Sequence, residues 1–418
     1  MQIIREWSPI VEAAEKPLYI RTSGRIAYRQ CRRAWSWATP LDNRVTGVRA
    51  ESIAAPLWLG TGVHYALEDY HGSRMYKDSV EAFKAYVHGC VQIGEYPEPL
   101  SEHTEQGIAM LKYYQKWLNV PDRPKYKTLM ERNAQGELVP CVEVGFEIPL
   151  PYRQDLSQLT QAPQTFRSLE ISKWMRKLGA DLIVYRGHID RVAVDEYGAL
   201  WIFEYKTAAS YRNFHFEVDP QVTAYLWAAR ILWPDHPIAG VIYQQHHKNP
   251  PEPPRILSNG QLSVASTQNT TSLLYRESLI DLYGSVERAP KKQQRYLDTI
   301  RNQEADNRDK GVQWDVVTRT EKQLRAEENK ITLELSEMLN PDLPIYPSPS
   351  DKCRWCDFRA PCVAVDSGYD YRRMLNESYE PREDYADDAW RHHLPLTTYS
   401  ILKGSSSRST KHLSLIHI

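Results

Sequence analysis

Two acids and an amine carry the most informative spacing in the chain. Residues 187–207 read GHIDRVAVDEYGALWIFEYKT, in which Asp195–Gly198 is a turn signal between two runs of β-branched and aromatic residues. Asp190 lies five residues before Asp195 and Glu204 six after Gly198, so antiparallel pairing brings the two carboxylates level to within one residue. Period-two alternation puts Glu204 and Lys206 on one face and Phe203 and Tyr205 on the other. Two acids among Trp201, Ile202 and Phe203 repel each other unless a cation or a water-filled cleft compensates; the plainer alternative is a cross-strand Asp/Lys surface pair. Hard oxygen ligands favour Mg2+ or Mn2+, which polarise a phosphoryl oxygen and lower the pKa of a bound water. Lys206 beside them is placed to orient that water and to stabilise the charge that develops.

A second constellation is made of thiols. Cys353, Cys356 and Cys362 form C-x2-C-x5-C in the string CRWCDFRAPC, which follows the loop-like PSPSDK. The start MQIIREWSPIVEAAEKP has no secretory apolar core and no window approaches a membrane span, so a reducing, cytoplasmic setting is expected. The six cysteines then read as metal ligands or buried thiols rather than disulfides. Three thiols need a fourth ligand. Four thiolates suit a [4Fe-4S] cluster and equally a structural Zn2+, and ligand type does not separate the two. Cys90 and Cys141 match no ligand pattern and read as small buried hydrophobes.

These groups need a scaffold, and 418 residues at ~150 per domain predict two or three. Hydrophobic residues at 42% and charged residues at 25% exclude a fully disordered or fibrous chain. With Lys plus Arg 52 against Asp plus Glu 53, the net charge of -1 excludes a uniformly basic coat, so nucleic-acid contact must use a local patch. One candidate is Arg21–Arg49, where seven arginines (21, 25, 29, 32, 33, 44, 49) face one acid, Asp42. It reads as a solvated face or as a phosphate-binding surface with Tyr28, Trp35 and Trp37 as stacking partners. A helix is predicted from an N-cap at Ser23 through Trp35, with Cys31 near its end, and others at about 58–70, 78–90 and 101–119. Strands are predicted at 141–150, 187–195, 199–207 and about 238–245, with a helix at about 219–231. Residues 260–345 are polar and helix-prone, and dense mixed charge at 300–330 predicts an exposed helical insertion. The final GSSSRSTKHLSLIHI has no expected packed structure, and LSLIHI reads as translated adapter sequence.

The pattern Asp190, then Glu204-Tyr205-Lys206, resembles the PD-(D/E)xK nuclease core, and the strings around it resemble its RecB-like branch. GTGVHYALED places His64 where that branch carries an amino-terminal metal-ligating histidine, with Glu68 one turn on. Q221-V-T-A-Y225 resembles the branch's Q-x3-Y signature, whose amide and hydroxyl share a helical face and could hold Lys206 or a DNA phosphate. VEVGFEIPL resembles the strand preceding the catalytic hairpin, and GVIYQQHHKNPP the strand following the Q-x3-Y helix; no chemistry attaches to His246, His247 or Lys248. Cys31, in AYRQCRRAW, resembles the first cluster ligand of CRISPR-associated adaptation exonucleases and the AddB subunit family, which makes it the fourth ligand to Cys353, Cys356 and Cys362. The resemblance covers residues 20–365, loosely over 260–345.

It implies an α/β fold with a restriction-endonuclease-like core, a central mixed sheet flanked by helices. The expected divisions are a helical region at 1–135, the nuclease core at 136–255, a charged helical insertion at 256–345, a cysteine segment at 346–370 closing onto the amino terminus, and a tail at 371–418. It further implies a Mg2+- or Mn2+-dependent DNA nuclease, an exonuclease on DNA ends or single strands, from a bacterium or a phage. Repair, recombination, CRISPR adaptation and phage DNA processing are the pathways it points to. In that reading His64, Asp190, Glu204 and the Tyr205 carbonyl ligate the metal, Lys206 positions the water, and Gln221 and Tyr225 support it. The alternative is a non-catalytic DNA-binding or scaffold module. No G-x4-G-K-[ST] phosphate loop occurs, so a helicase motor would be a partner chain.

Overall fold

Alternation in the middle of the chain and helical periodicity on either side produce one mixed sheet with helices on both faces. A computed structural model describes residues 5, 8–38, 48–49, 55–72, 76, 78–121, 123–133, 136–150, 166–211, 216–304, 309–340 and 342–381. The closing GSSSRSTKHLSLIHI lies outside them. The first part comprises α1 (Ser8–Ala13), β1 (Pro17–Arg21), α2 (Thr22–Gln30), α3 (Arg32–Ala38), the short β2 (Val48–Arg49), and the long helices α4 (Ala55–Gly72), α5 (Ser79–Ile93) and α6 (Leu100–Leu118). After β3 (Lys127–Thr128), β4 (Met130–Arg132) and β5 (Leu138–Pro140) come β6 (Val142–Leu150), α7 (Phe166–Leu178), β7 (Leu182–Val194), β8 (Leu200–Ala208), α8 (Pro220–Leu232) and β9 (Ile238–His247). The remainder is α9 (Ser272–Tyr283), α10 (Lys291–Gln303), β10 (Val312–Val317), α11 (Glu321–Met338), a tight helical turn at Asp351–Trp355, α12 (Arg359–Asp366), α13 (Tyr371–Ser378) and β11 (Glu380–Pro381).

The sheet runs β1-β7-β8-β9-β10, with β6 and β3 also pairing to β7. β7 and β8 are antiparallel, β8 and β9 parallel, β9 and β10 antiparallel. The β7–β8 turn forms as the sequence predicts: the Asp195 carboxylate accepts the Tyr197 and Ala199 amides, both at 2.9 Å, and Gly198 takes φ 83°. Alternation sorts β8 onto two cores. Leu200 and Ile202 pack with Val222, Ala224 and Leu226 of α8, while Phe203 and Tyr205 pack with Leu59, Val63 and Leu67 of α4 and Tyr114 of α6.

Three expectations need correction. The amino-terminal helix starts at Thr22 rather than after Ser23, and Cys31, extended at φ -161° and ψ 109°, breaks it into α2 and α3. The charged stretch at 300–330 contains β10, an edge strand of the central sheet, because Val312, Trp314 and Val317 have apolar surface to bury. The expected tail begins with an ordered helix, α13, whose Leu375 packs with Trp37 and Phe358.

Candidate active site

The hairpin sets the geometry. β7 and β8 pair from Val194 with Leu200 to Arg191 with Phe203, so Asp190 and Glu204 fall opposite each other at the next step. There the backbone ladder stops, and the Tyr205 amide donates to Asp190 Oδ2 at 2.7 Å instead. Glu204 continues the Leu200–Ile202 row and is only 1% exposed. Its Oε1 accepts Gln221 Nε2 at 2.9 Å and pairs with Lys206 Nζ, while the buried Oε2 has no hydrogen-bond partner. A buried carboxylate oxygen left in this state is where a cation is expected.

Helix α8 is aimed at this point by its start. Asp219 caps it by accepting the Gln221 amide at 2.7 Å, and Pro220 occupies the first turn. Gln221 and Tyr225 share a face, with the amide donating to the Tyr225 hydroxyl at 3.0 Å. The amide reaches Glu204 rather than Lys206, and Lys206 is held by that same carboxylate.

The other wall comes from α4 and β6. His64 Nδ1 lies 3.7 Å from Asp190 Oδ2 and 3.8 Å from Glu143 Oε1. Among the described residues, His64, Glu143 and Asp190 form a group whose ligand atoms all lie within 4.8 Å of one another. Glu68, one turn beyond His64, is buried but outside that group. Glu143 escaped the sequence reading. Its signal was an acid between Val142 and Val144 in a strand already noted, and the backbone there turns to φ 43°, a costly conformation for a non-glycine residue that recurs at functional sites.

The electrostatics follow from crowding acids in a buried place. Burial, and after it Glu204, pushes the Asp190 carboxyl up to about 7. Burial opposes charge on His64, but Asp190 and Glu143 outweigh it and its pKa is raised. Burial likewise opposes charge on Lys206, and Glu204 and Asp190 more than offset it, holding the ammonium protonated. Of the seven expected ligand and catalytic positions, His64 and Asp190 fall in one group with the unforeseen Glu143; Glu204, Lys206, Gln221 and Tyr225 are joined by their own contacts beside it, Glu204 lying outside that group, and the Tyr205 amide is bonded to Asp190.

Away from this centre, the chain brings Cys31 to the carboxy-terminal cysteines. The Ser348 amide donates to Cys31 Sγ at 3.5 Å, the Ser350 amide to Cys353 Sγ at 3.4 Å, and Arg33 Nη1 to Cys362 Sγ at 3.3 Å. Burial raises the Cys356 thiol, as do Cys31 and Cys353 beside it. Trp37 stacks on Tyr371 and packs against Phe358, clamping α3 to this segment. Cys90 and Cys141 are buried, and burial raises both thiols.

Among the described residues, the arginine-rich stretch is not an open phosphate surface. Arg25, 0% exposed, joins Glu327 at 2.8 Å and Glu334 at 2.5 Å; Arg29 joins Glu334, Arg32 joins Glu337, and Arg33 joins Asp366. Tyr28, Trp35 and Trp37 are buried. Arg44 and the side chain of Arg49 lie outside the described residues. The arginines bind α2 and α3 to α11 and α12, where acids over 300 residues away neutralise them.

A family profile described as the PD-(D/E)XK nuclease superfamily matches residues 25–363. The chain belongs to that superfamily, and its mixed sheet flanked by helices is the restriction-endonuclease-like fold. Members use divalent metals, and the His64, Glu143 and Asp190 group is a fitting donor set. No curated protein matches the chain. No described helix is long and apolar enough to cross a membrane.

Proposed function

We propose that the protein is a Mg2+- or Mn2+-dependent deoxyribonuclease that acts as an exonuclease on DNA ends or single strands. The observation that carries this reading is the gap in the β7–β8 ladder, into which Asp190, Glu204, Lys206, His64 and Glu143 converge. His64, Asp190 and the free Oε2 of Glu204 would hold the metal with the Tyr205 carbonyl, and Glu143 adds a further acid at the same place. The bound divalent ion would supply Lewis-acid polarisation of the scissile phosphate and acidify a water. Lys206, kept protonated, donates rather than accepts: it holds the attacking water or a phosphate oxygen and offsets the charge of the pentacovalent state. Gln221 fixes Glu204, and Tyr225 fixes Gln221, so the acid keeps one orientation while Lys206 shares its oxygen.

Cys31, Cys353, Cys356 and Cys362 are proposed to hold a [4Fe-4S] cluster, with Zn2+ as the alternative occupant. Support comes from Cys31 and Cys353 lying near Cys356, although Cys31 is over 300 residues away in sequence, and from the amide-to-sulfur hydrogen bonds, which suit thiolate ligands. The cluster would act as a staple. Iron and sulfide analysis of anaerobically purified protein decides it, and a stoichiometric zinc content would overturn it.

The nuclease reading is tested with 5′- and 3′-labelled single-stranded and duplex DNA in Mg2+ or Mn2+. Release of nucleotides from an end, abolished by chelator and by Lys206→Ala, is expected. Binding without cleavage would instead identify a DNA-binding module.

A further inference from the structure

The insertion at 248–311 leaves and rejoins the sheet beside the proposed catalytic centre. Its first residue, Lys248, donates its amide to the Ala208 carbonyl at 2.8 Å, and the His247 amide reaches Gly311 O, at the other end of the insertion, at 2.9 Å. Ala208 is two residues beyond Lys206 on β8. Lys248 Nζ also reaches the Pro56 carbonyl, at the start of the helix that carries His64. Both ends of the insertion are therefore fixed at the carboxyl end of β8, where loops of α/β sheets meet ligands.

Within it, α9 and α10 pack on a small core of their own, with Leu279, Leu297 and Ile300 buried. On α10 the buried row is Gln293, Leu297 and Ile300, so at 100° per residue Lys291 and Arg295 face away from it, with Asp298 the acid on that same face. Arg288, Lys291, Lys292, Arg295 and Arg301 are all exposed. From 288 to 297 the string RAPKKQQRYL holds four cations and no acid; Glu287 and Asp298 stand at its two ends. Among the described residues none of these five cations has an ion pair, whereas Arg25, Arg29, Arg32 and Arg33 at the amino terminus are each paired with acids. Lys291, Lys292 and Arg295, without ion pairs on the outer side of the helix, with Arg288 just before it, in a chain of net charge -1, form a local patch for a polyanion. The 13 residues of α10 extend about 20 Å, the length over which one strand of a duplex presents about six phosphates.

We infer that the outer face of α10 is an auxiliary DNA contact, along which the sugar-phosphate backbone of the substrate runs after passing the metal centre. The inference rests on the nuclease reading above and adds to it where the uncleaved part of the substrate is held. It predicts that long substrates depend on α10 and that very short ones do not.

The test uses the full-length protein and the triple variant Lys291→Ala, Lys292→Ala, Arg295→Ala, whose side chains lie outside the core. Binding of a labelled duplex is measured across salt concentrations with Ca2+ in place of the catalytic ion, and turnover is compared on that duplex and on a six-nucleotide strand. The slope of log affinity against log salt should flatten by about 2 to 3, at about 0.9 per lost phosphate contact. Turnover of the six-nucleotide strand should be unchanged. An unaltered slope while the wild type still cleaves DNA would overturn the inference alone. An equal loss on the short strand would also overturn it, because damage common to all substrates needs no auxiliary contact. A wild type that neither binds nor cleaves DNA would overturn the nuclease reading as well.

Discussion

The raised Asp190 carboxyl makes metal binding a competition with a proton. Burial and Glu204 hold this group at about 7 without metal, and a carboxylate must be ionised to ligate. At pH 8 about ten Asp190 sites in eleven are ionised and at pH 6 about one in eleven, so from this group alone Mn2+ affinity should fall about tenfold between them, or about 1.4 kcal/mol, and His64, whose pKa is also raised and which must be neutral to ligate, adds to the fall. The sign follows from the shift: the folded pKa lies above the unfolded one, so the proton is held by the fold, and lowering the pH through about 7 disfavours the cation. Isothermal titration calorimetry in two buffers of different ionisation enthalpy reads both quantities, with Asp190 releasing about 0.9 proton per Mn2+ at pH 6 and about 0.1 at pH 8, and His64 adding its own proton. Glu204→Gln removes the second cause of the shift, so its affinity should be weaker at pH 8 yet vary less with pH. An Mn2+ dissociation constant that changes less than twofold from pH 6 to pH 8 in the wild type would refute the reasoning.

Lys206→Ala should reduce hydrolysis by roughly 100-fold to 1,000-fold, the usual cost of losing one donor to developing charge, while Mn2+ binding at pH 8 persists; activity within threefold of wild type would remove Lys206 from the mechanism. Arg25→Met strands Glu327 and Glu334 without their buried partner and should cost about 3–5 kcal/mol in denaturant unfolding, so a loss under 1 kcal/mol would contradict the packing described. Glu304, raised to about 7 mainly by burial, accepts the Ser272 amide and hydroxyl at the start of α9. Its folded pKa exceeds the ordinary value of 4.5, so its contribution is full below about 4.5 and is lost as pH rises to about 7, by about 3 kcal/mol at most. Glu304→Gln should flatten that part of the pH–stability curve; an unchanged curve would show that Glu304 is not the group titrating.

The local pattern carried the catalytic hairpin. Turn chemistry at Asp195–Gly198 and strict alternation along β8 are enough to set Asp190 against Glu204 and to put Lys206 on the same face, since a one-residue slip would have turned Leu200 and Ile202 out of their core. The Q-x3-Y spacing likewise needed only the helical repeat, and the resemblance of its surroundings brought in His64 and Cys31. Helix and strand positions were legible wherever periodicity was strong; β10 was not, because three buried apolar residues among charges make too short a signal.

What a one-dimensional pattern leaves open is which distant groups face each other. Glu143 joined the site because β6 pairs with β7 and twists at that residue, and Gln221 settled on Glu204 because the capped start of α8 aims it there. The same applies to charge. Arg25 and its neighbours looked like a phosphate surface until α11 delivered Glu327, Glu334 and Glu337 to them, while among the described residues the cations of α10 have no ion pair. Spacing along the chain determines which residues share a face; only packing between elements hundreds of residues apart determines whether that face meets a partner or is left to water, because desolvation and Coulomb energy depend on distance in space.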